Sequence, residues 1–139
     1  MRKLALPTLL LLGLLVLAFV GCKPASVSVE DRIALFLSDI NNANWSSIYL
    51  NFHPTLTADY NALSGTTVVD WGAVFEPAYA PYSILGLNTS DPRNVAGSMT
   101  SSNDSVWPGP QPVAFRMAQY GEDWMIEEMD FDGFLPLID

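Results

Sequence analysis

The feature that most limits what this chain can fold into is the apolar run at its amino terminus. Residues 4–20 are almost entirely apolar and follow two positive residues, Arg2 and Lys3. A small residue, Gly21, ends the run, and the next residue, Cys22, is the only cysteine in the chain. A positive start, an apolar stretch and a small residue at the cut are typical of a secretory signal. The sequence therefore predicts that everything before the cysteine is removed.

The end of this run, Ala18-Phe19-Val20-Gly21-Cys22, resembles the lipobox of bacterial lipoproteins. The usual lipobox is Leu-(Ala/Ser)-(Gly/Ala)-Cys. Gly21 and Cys22 match its last two positions, whereas Phe19 stands where leucine is common. The resemblance implies that residues 1–21 are a lipoprotein signal peptide. It also implies that Cys22 is acylated and that residues 22–27 form a lipidated tether. Such a protein faces the periplasm or the exterior of the cell envelope, on the outer membrane if the cell has one.

An uncleaved transmembrane anchor is the alternative for the same run. A membrane-spanning helix needs about 20 apolar residues, and residues 4–20 come close to that length. In that case Cys22 would remain a free thiol at the membrane surface. Both interpretations place the carboxyl-terminal part outside the cytoplasm, because the positive charges precede the apolar run.

Charge limits the partners of the mature chain. Arg2 and Lys3 leave with the signal, so four of the six basic residues remain against fifteen acidic ones, a formal net charge of −11. Such a surface repels nucleic acid and anionic lipid headgroups, so we expect no nucleic-acid partner. Membrane attachment must then come from acyl chains on Cys22, each buried methylene contributing about 0.8 kcal/mol.

Metal and cofactor chemistry has little support in the composition. Acylation of Cys22 leaves no thiol, which excludes disulfides, thiolate metal sites and cysteine nucleophiles from the mature domain. A single histidine argues against a histidine-rich zinc site. The acidic residues of the carboxyl-terminal part lack the spacing of an EF-hand loop and are interpreted as a solvated edge. We therefore expect no metal and no cofactor.

The first half of the mature chain carries helical patterns. Ser28 and Asp31 have the form of a capping box, and apolar residues follow at three- and four-residue spacing. These apolar residues are Val29, Ile33, Phe36, Leu37 and Ile40. Asn44 is expected to cap a second, shorter helix and Thr57 a third. Residues 68–75 fit either a strand or a helix.

After Pro77 the pattern changes to that of strands. Four strand-like runs are predicted, at residues 82–88, 95–101, 113–120 and 123–129. In the third run Val113, Phe115 and Met117 share one face, and Arg116 lies on the other. Helices followed by strands predict an α+β fold in which helices cover one face of an antiparallel sheet.

Three motifs carry a resemblance to a known fold family. They are Asn44-Trp45-x-x-Ile48-Tyr49-x-x-Phe52-His53-Pro54, Val113-x-Phe115-x-Met117 and Trp124-x-Ile126. Their order is similar to that of the NTF2-like superfamily, the cystatin-like α+β roll. The resemblance implies that residues 28–139 form one domain, with N-terminal helices packed on a curved antiparallel β-sheet around a cone-shaped cavity. Because the family includes both enzymes and noncatalytic binding modules, this fold does not decide function.

The possible pocket residues also have structural interpretations. The set comprises Tyr49, Tyr60, Trp71, Phe75 and Arg116. Aromatic residues at such spacing are more simply explained as core. Arg116 would bind a carboxylate if its face lined the cavity. If that face is exposed, Arg116 is expected to pair with an acid such as Glu127 across the hairpin.

Catalytic residues cannot be assigned from the sequence. An isomerase of this fold would use an aspartate base with tyrosine and acid donors, but Asp59 and Tyr60 are adjacent and cannot easily converge on one substrate. A dehydratase would use a His–Asp pair. His53, the single histidine, stands at a helix end before proline, which fits a local structural role.

These patterns predict a lipid-anchored bacterial envelope protein whose NTF2-like domain is a noncatalytic module. The module would bind a small apolar ligand in its cavity, or it would contact an envelope protein partner or a second copy of itself. The alternative is a small-molecule enzyme of the isomerase or dehydratase type that uses the same cavity. Of the two, the binding module is the interpretation that the residues favour.

Overall fold

A computed structural model describes residues 25–63, 70–103 and 109–131, with the side chains of residues 60–63 excepted. The helices are α1 (Val29–Asn41), α2 (Pro54–Leu63) and α3 (Trp71–Val74), with 3₁₀ turns at Ile48–Asn51 and Pro77–Tyr79. The strands are β1 (Tyr82–Asn88), β2 (Val95–Ser101), β3 (Gln111–Tyr120) and β4 (Asp123–Phe131). They form one antiparallel sheet in the order β1-β2-β3-β4. The predicted α+β class is confirmed.

Helix α1 begins and packs as its sequence predicts. The Oγ of Ser28 accepts a hydrogen bond from the backbone N–H of Asp31 at 3.1 Å, which satisfies one of the free donors of the first turn. At the other end, Ala43 has a φ of 54°, in the left-handed region, so the helix cannot continue. The predicted stripe is the buried face, on which Val29, Ile33, Phe36 and Ile40 are buried and Leu37 is half-buried.

The two helices predicted next differ from those observed. Only the 3₁₀ turn Ile48–Asn51 stands where the second helix was expected, and the buried Asn51 at its end is held by tertiary hydrogen bonds. Helix α2 begins at Pro54 and not after Thr57, because the carbonyl of His53 accepts from the N–H of Thr57 at 3.1 Å. Proline suits a first helical position, since its missing N–H has no partner there in any case.

The ambiguous segment before the sheet resolves as a helix over its described part. Residues 71–74 form α3, and the side chain of Asp70 accepts from the N–H of Ala73 at 3.2 Å. Val68 and Val69, which suggested a strand, lie outside the described residues.

The strand predictions agree closely with the sheet. Strands β1 and β2 have the predicted bounds. Strand β3 begins two residues earlier, because Gln111 pairs with Met99 of β2. Strand β4 continues to Phe131, which pairs with Val113 and is 2% exposed. Phe131 lies beyond the predicted end of this run at residue 129, and its ring is part of the core.

Two irregularities interrupt the strand pairing. The first lies between Leu85 and Asn88 of β1, where Gly86 has a φ of 63° that a residue with a side chain rarely adopts. The second lies between Arg116 and Met117, which pair with Glu128 and Ile126 of β4, so that Glu127 is an extra residue in β4. Bulges of this kind bend a strand and redirect its side chains.

The free edge of β4 is covered by segments from the first half of the domain. Phe52 forms a parallel bridge with Ile126, and the N–H of His53 donates to the carbonyl of Ile126 at 2.7 Å. Further along the edge, the N–H of Trp124 donates to the carbonyl of Val27 at 3.0 Å. These contacts use backbone groups that an open edge would offer to another chain.

Phe36 lies at the centre of the hydrophobic core. Its ring is fully buried, and four other phenylalanine rings have centroids within 6.0–6.3 Å of it. They are Phe52, Phe75, Phe115 and Phe131. Two of these contacts are edge-to-face, an arrangement that adds about 0.5–1.5 kcal/mol per pair to the effect of burial. One residue of α1 thus joins the helical layer to β3 and β4.

Arg32 provides a polar link between the same layers. It is 8% exposed, its Nε donates to the carbonyl of Trp124 at 2.9 Å, and its Nη1 donates to the carbonyl of Leu50 at 3.2 Å. Asn51 accepts from the same Nη1 at 3.4 Å and donates to Asp39 at 2.8 Å. The buried charge is stabilised by carbonyl dipoles, since a buried cation needs hydrogen-bonding partners.

Within residues 25–63, 70–103 and 109–131, no helix has the length and apolarity needed to cross a bilayer.

We predict that Phe36→Ala lowers the free energy of unfolding by about 3–5 kcal/mol, because it empties the centre of the core. The matched control is Leu35→Ala in the same helix, where the side chain is 47% exposed and the expected loss is about 0.5 kcal/mol. Urea denaturation followed by circular dichroism measures both. A cost below about 1 kcal/mol for Phe36→Ala would show that the two layers are not joined through this ring.

Candidate functional site

The aromatic pocket candidates that the structure describes belong to the interior of the domain. Trp71 is 3% exposed, Phe75 is fully buried, and their rings stack with centroids 6.3 Å apart. Tyr49 is half-buried, and its hydroxyl accepts from the indole N–H of Trp71 at 3.1 Å. The side chain of Tyr60 lies outside the described residues. Trp71 and Phe75 therefore have the core role that the sequence favours for them.

Tyr82, which packs against Phe75, belongs to the same interior. Its ring is 2% exposed and packs edge-on against Phe75 with centroids 5.8 Å apart. Its hydroxyl donates to the carbonyl of Glu76 at 2.9 Å. Burial, with a smaller contribution from the charge of Glu76, raises the pKa of Tyr82 to about 12. The phenol therefore stays protonated near neutral pH.

His53 and Asp59, the candidate acid–base residues, lie beside and on α2. His53 precedes α2, where its Nδ1 lies 2.8 Å from the Oγ1 of Thr55 and accepts from the N–H of Thr55 at 3.3 Å. Its ring packs edge-on against Tyr120 at 5.8 Å. Asp59 is exposed on α2. His53 thus makes local contacts with the start of α2 and with Tyr120, which fit its position before proline.

Arg116 lies on the exposed face of the sheet. The side chain is 49% exposed, with Nε 3.1 Å from Glu127 and Nη2 2.5 Å from Glu128. The pairing with Glu127 is the one expected if the face is solvent-exposed. The bulge explains why one arginine has two acidic partners, because it places two consecutive glutamates opposite Arg116. Exposed ion pairs contribute only about 0–1 kcal/mol, so a ligand can compete with them.

Two clefts lie on this outer face, and both are lined by Arg93 and Arg116. The larger, of about 550 Å³, is completed by Asp91, Pro92, Met117, Ala118, Gln119, Trp124 and Glu127. The smaller, of about 410 Å³, is completed by Asn94, Val95, Ala96, Ala114, Phe115, Glu128 and Asp130. We call the larger one the arginine cleft.

The β1–β2 loop that carries Arg93 is held by Asp91. The carboxylate of Asp91 accepts from the backbone N–H of Arg93 at 3.0 Å and from the side-chain amide of Asn94 at 2.6 Å. The Asn94 amide, the Arg93 N–H and the nearby Arg93 charge hold the pKa of Asp91 below its usual value. Asp91 is therefore ionised at neutral pH, and its hydrogen bonds order the loop.

The same loop is fixed to β3 next to the bulge. Pairing between β2 and β3 ends at Phe115, so β3 continues beyond its neighbour. The N–H of Met117 is then free to donate to the carbonyl of Pro92 at 2.8 Å. This bond brings Arg93, from the loop, and Arg116, from β3, to the same cleft.

Arg93 is the functional candidate that sequence reasoning missed. Its guanidinium makes no salt bridge with the carboxylates that the structure describes, in contrast to Arg116. The sequence does contain a signal that could have identified it, because basic residues are rare: Arg93 is one of four in a mature chain of formal charge −11. A lone arginine in a loop is usually a solvated residue, and only the Met117–Pro92 bond shows that this loop contacts the sheet.

The arginine cleft suits a small molecule with a carboxylate. Two guanidinium groups and the Gln119 amide supply donors, and the carboxylates of Asp91 and Glu127 also line the cleft. Met117, Ala118 and Trp124 add apolar surface. Arginine can bind a carboxylate with two parallel hydrogen bonds, which fixes its orientation.

Metal chemistry has no observed ligand set here. In the part of the chain that the structure describes, no group of three or more histidine, cysteine, aspartate or glutamate side chains is arranged to hold a metal ion.

Comparison of the chain with protein-family models, with curated proteins and with solved structures gave no significant match.

Proposed function

We propose that this chain is a lipid-anchored bacterial envelope protein whose NTF2-like domain is a noncatalytic binding module for a small carboxylate-bearing molecule. The observation that carries the binding part is the arginine cleft, where Arg93 has no salt bridge to the described carboxylates and Arg116 has only exposed partners. The anchor part rests on the run that ends in Gly21-Cys22.

The lipid anchor is supported by charge as well as by the cleavage pattern. A mature chain of formal charge −11 is repelled by anionic lipid, so electrostatic attraction does not supply its membrane affinity. Acyl chains on Cys22 would supply membrane affinity that does not depend on charge. The acylated cysteine would place the domain on the outer side of the cytoplasmic membrane or on the outer membrane.

The NTF2-like assignment is supported by element order and by the placement of α1. Helices precede a four-stranded antiparallel sheet, and α1 packs across one face of it through Phe36. The two irregularities in strand pairing favour a curved sheet, because bulges bend strands. In this protein the space beneath such a sheet holds the rings of Phe36, Phe75 and Tyr82.

The filled interior favours a binding module over an enzyme that uses an internal cavity. The interior is occupied by fully buried rings such as Phe36 and Phe75, so the outer face is the more accessible surface for a ligand. His53 contacts Thr55 just before α2, Asp59 is exposed on α2, and Arg116 pairs with Glu127 and Glu128 on the sheet. The cleft can orient a carboxylate, but binding alone needs no proton transfer.

We predict that succinate shifts the backbone amide resonances of Arg93, Met117 and Glu127 when it is titrated into the protein. Arg93→Gln should weaken this binding by about tenfold or more, since a charge-assisted hydrogen bond contributes about 1.5–3 kcal/mol. Nuclear magnetic resonance titration measures the dissociation constant.

Two controls make the result specific. Ser98→Ala changes a residue of β2 that lines neither cleft, and it should leave the dissociation constant unchanged. Succinamide, which keeps the size but lacks the charges, should cause little shift. Equal binding of succinate by the parent protein and by Arg93→Gln would reject the arginine cleft as a carboxylate site.

We predict that Cys22→Ala abolishes acylation and leaves the uncleaved precursor, because the thiol is the acceptor of the lipid. Metabolic labelling with a fatty-acid analogue, followed by mass spectrometry of the amino-terminal peptide, measures both. Ser26→Ala, within the tether, should label normally. Unchanged labelling of Cys22→Ala would show that the membrane anchor lies elsewhere.

A further inference from the structure

The domain has two distinct ends, and the tether leaves from one of them. The carbonyl of Val27 accepts from the N–H of Trp124 at 3.0 Å, and the N–H of Val27 donates to Asp123 at 2.9 Å. Val27 is thus fixed at the first residues of β4, beside the turn at Gly121. The amino-terminal end of α1 is close by in sequence, and its Glu30 accepts from the hydroxyl of Thr89 in the β1–β2 loop. We call this the tether end.

The opposite end is defined by an equally specific set of contacts. The side chain of Asn41, at the end of α1, accepts from the N–H of Tyr82 at 2.7 Å and donates to its carbonyl at 2.9 Å. Ser101, the last residue of β2, donates to the carbonyl of Tyr79. These residues and the neighbouring Ala78, which is exposed, form the far end.

The length of the tether limits how far the start of the domain can lie from a membrane. Five peptide units separate Cys22 from Val27, and a fully extended chain covers at most about 18 Å over that distance. Strand β4 has nine residues and so spans about 27 Å from the tether end to Phe131. Phe131 is aligned through Val113 with Gly97 of β2, and the far end at Ser101 lies four residues further along β2. A chain anchored at Cys22 therefore cannot stand on its far end, with the tether end directed away from the bilayer, while Val27 keeps its hydrogen bonds.

Exposed apolar side chains are found at the tether end. Tyr120 pairs with Asp123 across the turn and is 59% exposed. Leu50 is 71% exposed. Its backbone carbonyl and that of Trp124 both accept hydrogen bonds from the guanidinium of Arg32, which places Leu50 near the start of β4. A tyrosine and a leucine suit the boundary between lipid headgroups and acyl chains, because the first has a polar tip and the second is apolar.

The charge of this end restricts the lipid that it fits. Glu122 is exposed in the turn, and Asp123 follows it. Both carboxylates would be repelled by anionic headgroups, whereas a zwitterionic surface imposes no such penalty. Arg93, in the β1–β2 loop of the same end, and Lys23 of the tether offset part of this negative charge, but they are outnumbered by Glu30, Glu122 and Asp123. The tether end is therefore suited to a bilayer surface rich in zwitterionic phospholipid.

We propose that the tether end, with Leu50 and Tyr120 in contact with the headgroup region, is the surface on which the domain rests against a zwitterionic bilayer. This inference rests on the proposed acylation of Cys22. It also fixes the orientation of the protein, with Ala78 and the far end directed away from the membrane.

Fluorescence quenching in proteoliposomes tests the orientation. The full chain is expressed, acylated and purified, and Glu122→Cys or Ala78→Cys supplies one reactive thiol, because Cys22 is blocked by its lipid. A fluorophore on that thiol is exposed to phosphatidylcholine that carries a nitroxide on its headgroup. Most of the emission at position 122 should be lost and that at position 78 retained. Equal quenching at the two positions would overturn the inference.

A longer tether tests whether contact by the side chains, and not only the short reach of the tether, keeps the domain at the bilayer. Inserting a Gly/Ser linker of about 20 residues between Lys23 and Pro24 gives the tether a typical reach of about 25 Å. If Leu50 and Tyr120 contact the bilayer, quenching at position 122 persists with the linker. It should then be lost in Leu50→Gln/Tyr120→Gln and kept in Leu85→Gln, a matched control that is 55% exposed on β1. Loss of quenching from the linker alone would overturn the contact.

The mass of the amino-terminal peptide distinguishes failure of this inference from failure of the proposed function. A chain that carries no acyl group on Cys22 overturns both. An acylated chain with equal quenching at positions 122 and 78 leaves the lipid anchor intact and overturns the orientation alone.

Discussion

The fold depends on the contact between Phe36 of α1 and the rings of the sheet. A helix and a four-stranded sheet must each bury one apolar face, and Phe36 is the residue at which the two faces meet. Because rings from Phe52 and Phe75 complete the surroundings of Phe36, the interior is packed with aromatic groups. This packing fills the inner side of the sheet, whereas the arginine cleft lies on its outer face.

Irregular positions of the sheet and its covered edge give the domain its distinctive surfaces. The extra residue Glu127 in β4 places two acids opposite Arg116, and the extension of β3 lets Met117 hold the loop of Arg93. At the edge of β4, Val27 fixes the start of the domain beside the turn. The arginine cleft and the tether end therefore both follow from how β3 and β4 extend beyond β2.

Much of the fold could be predicted because its signals are local. The Ser28 cap, the apolar stripe of α1 and the alternation in β3 follow from short-range rules, and the structure bears them out. The helix expected after Asn44 was wrong, since Asn51 accepts a hydrogen bond from Arg32 and donates one to Asp39, and these tertiary contacts decide that segment. The cleft could not be predicted, because the contact between Pro92 and Met117 joins a loop to a strand distant in sequence.

Native-state hydrogen exchange tests most directly whether Phe36 unites helix and sheet in one closed core. The amides of Ile33 and Ile40 in α1 and those of Phe115 and Met117 in β3 would be measured together. The account predicts one common free energy of exchange for both sets, equal to that of global unfolding, since neither layer opens without exposing the rings. Exchange of the α1 amides at a clearly lower free energy than those of β3 would contradict it.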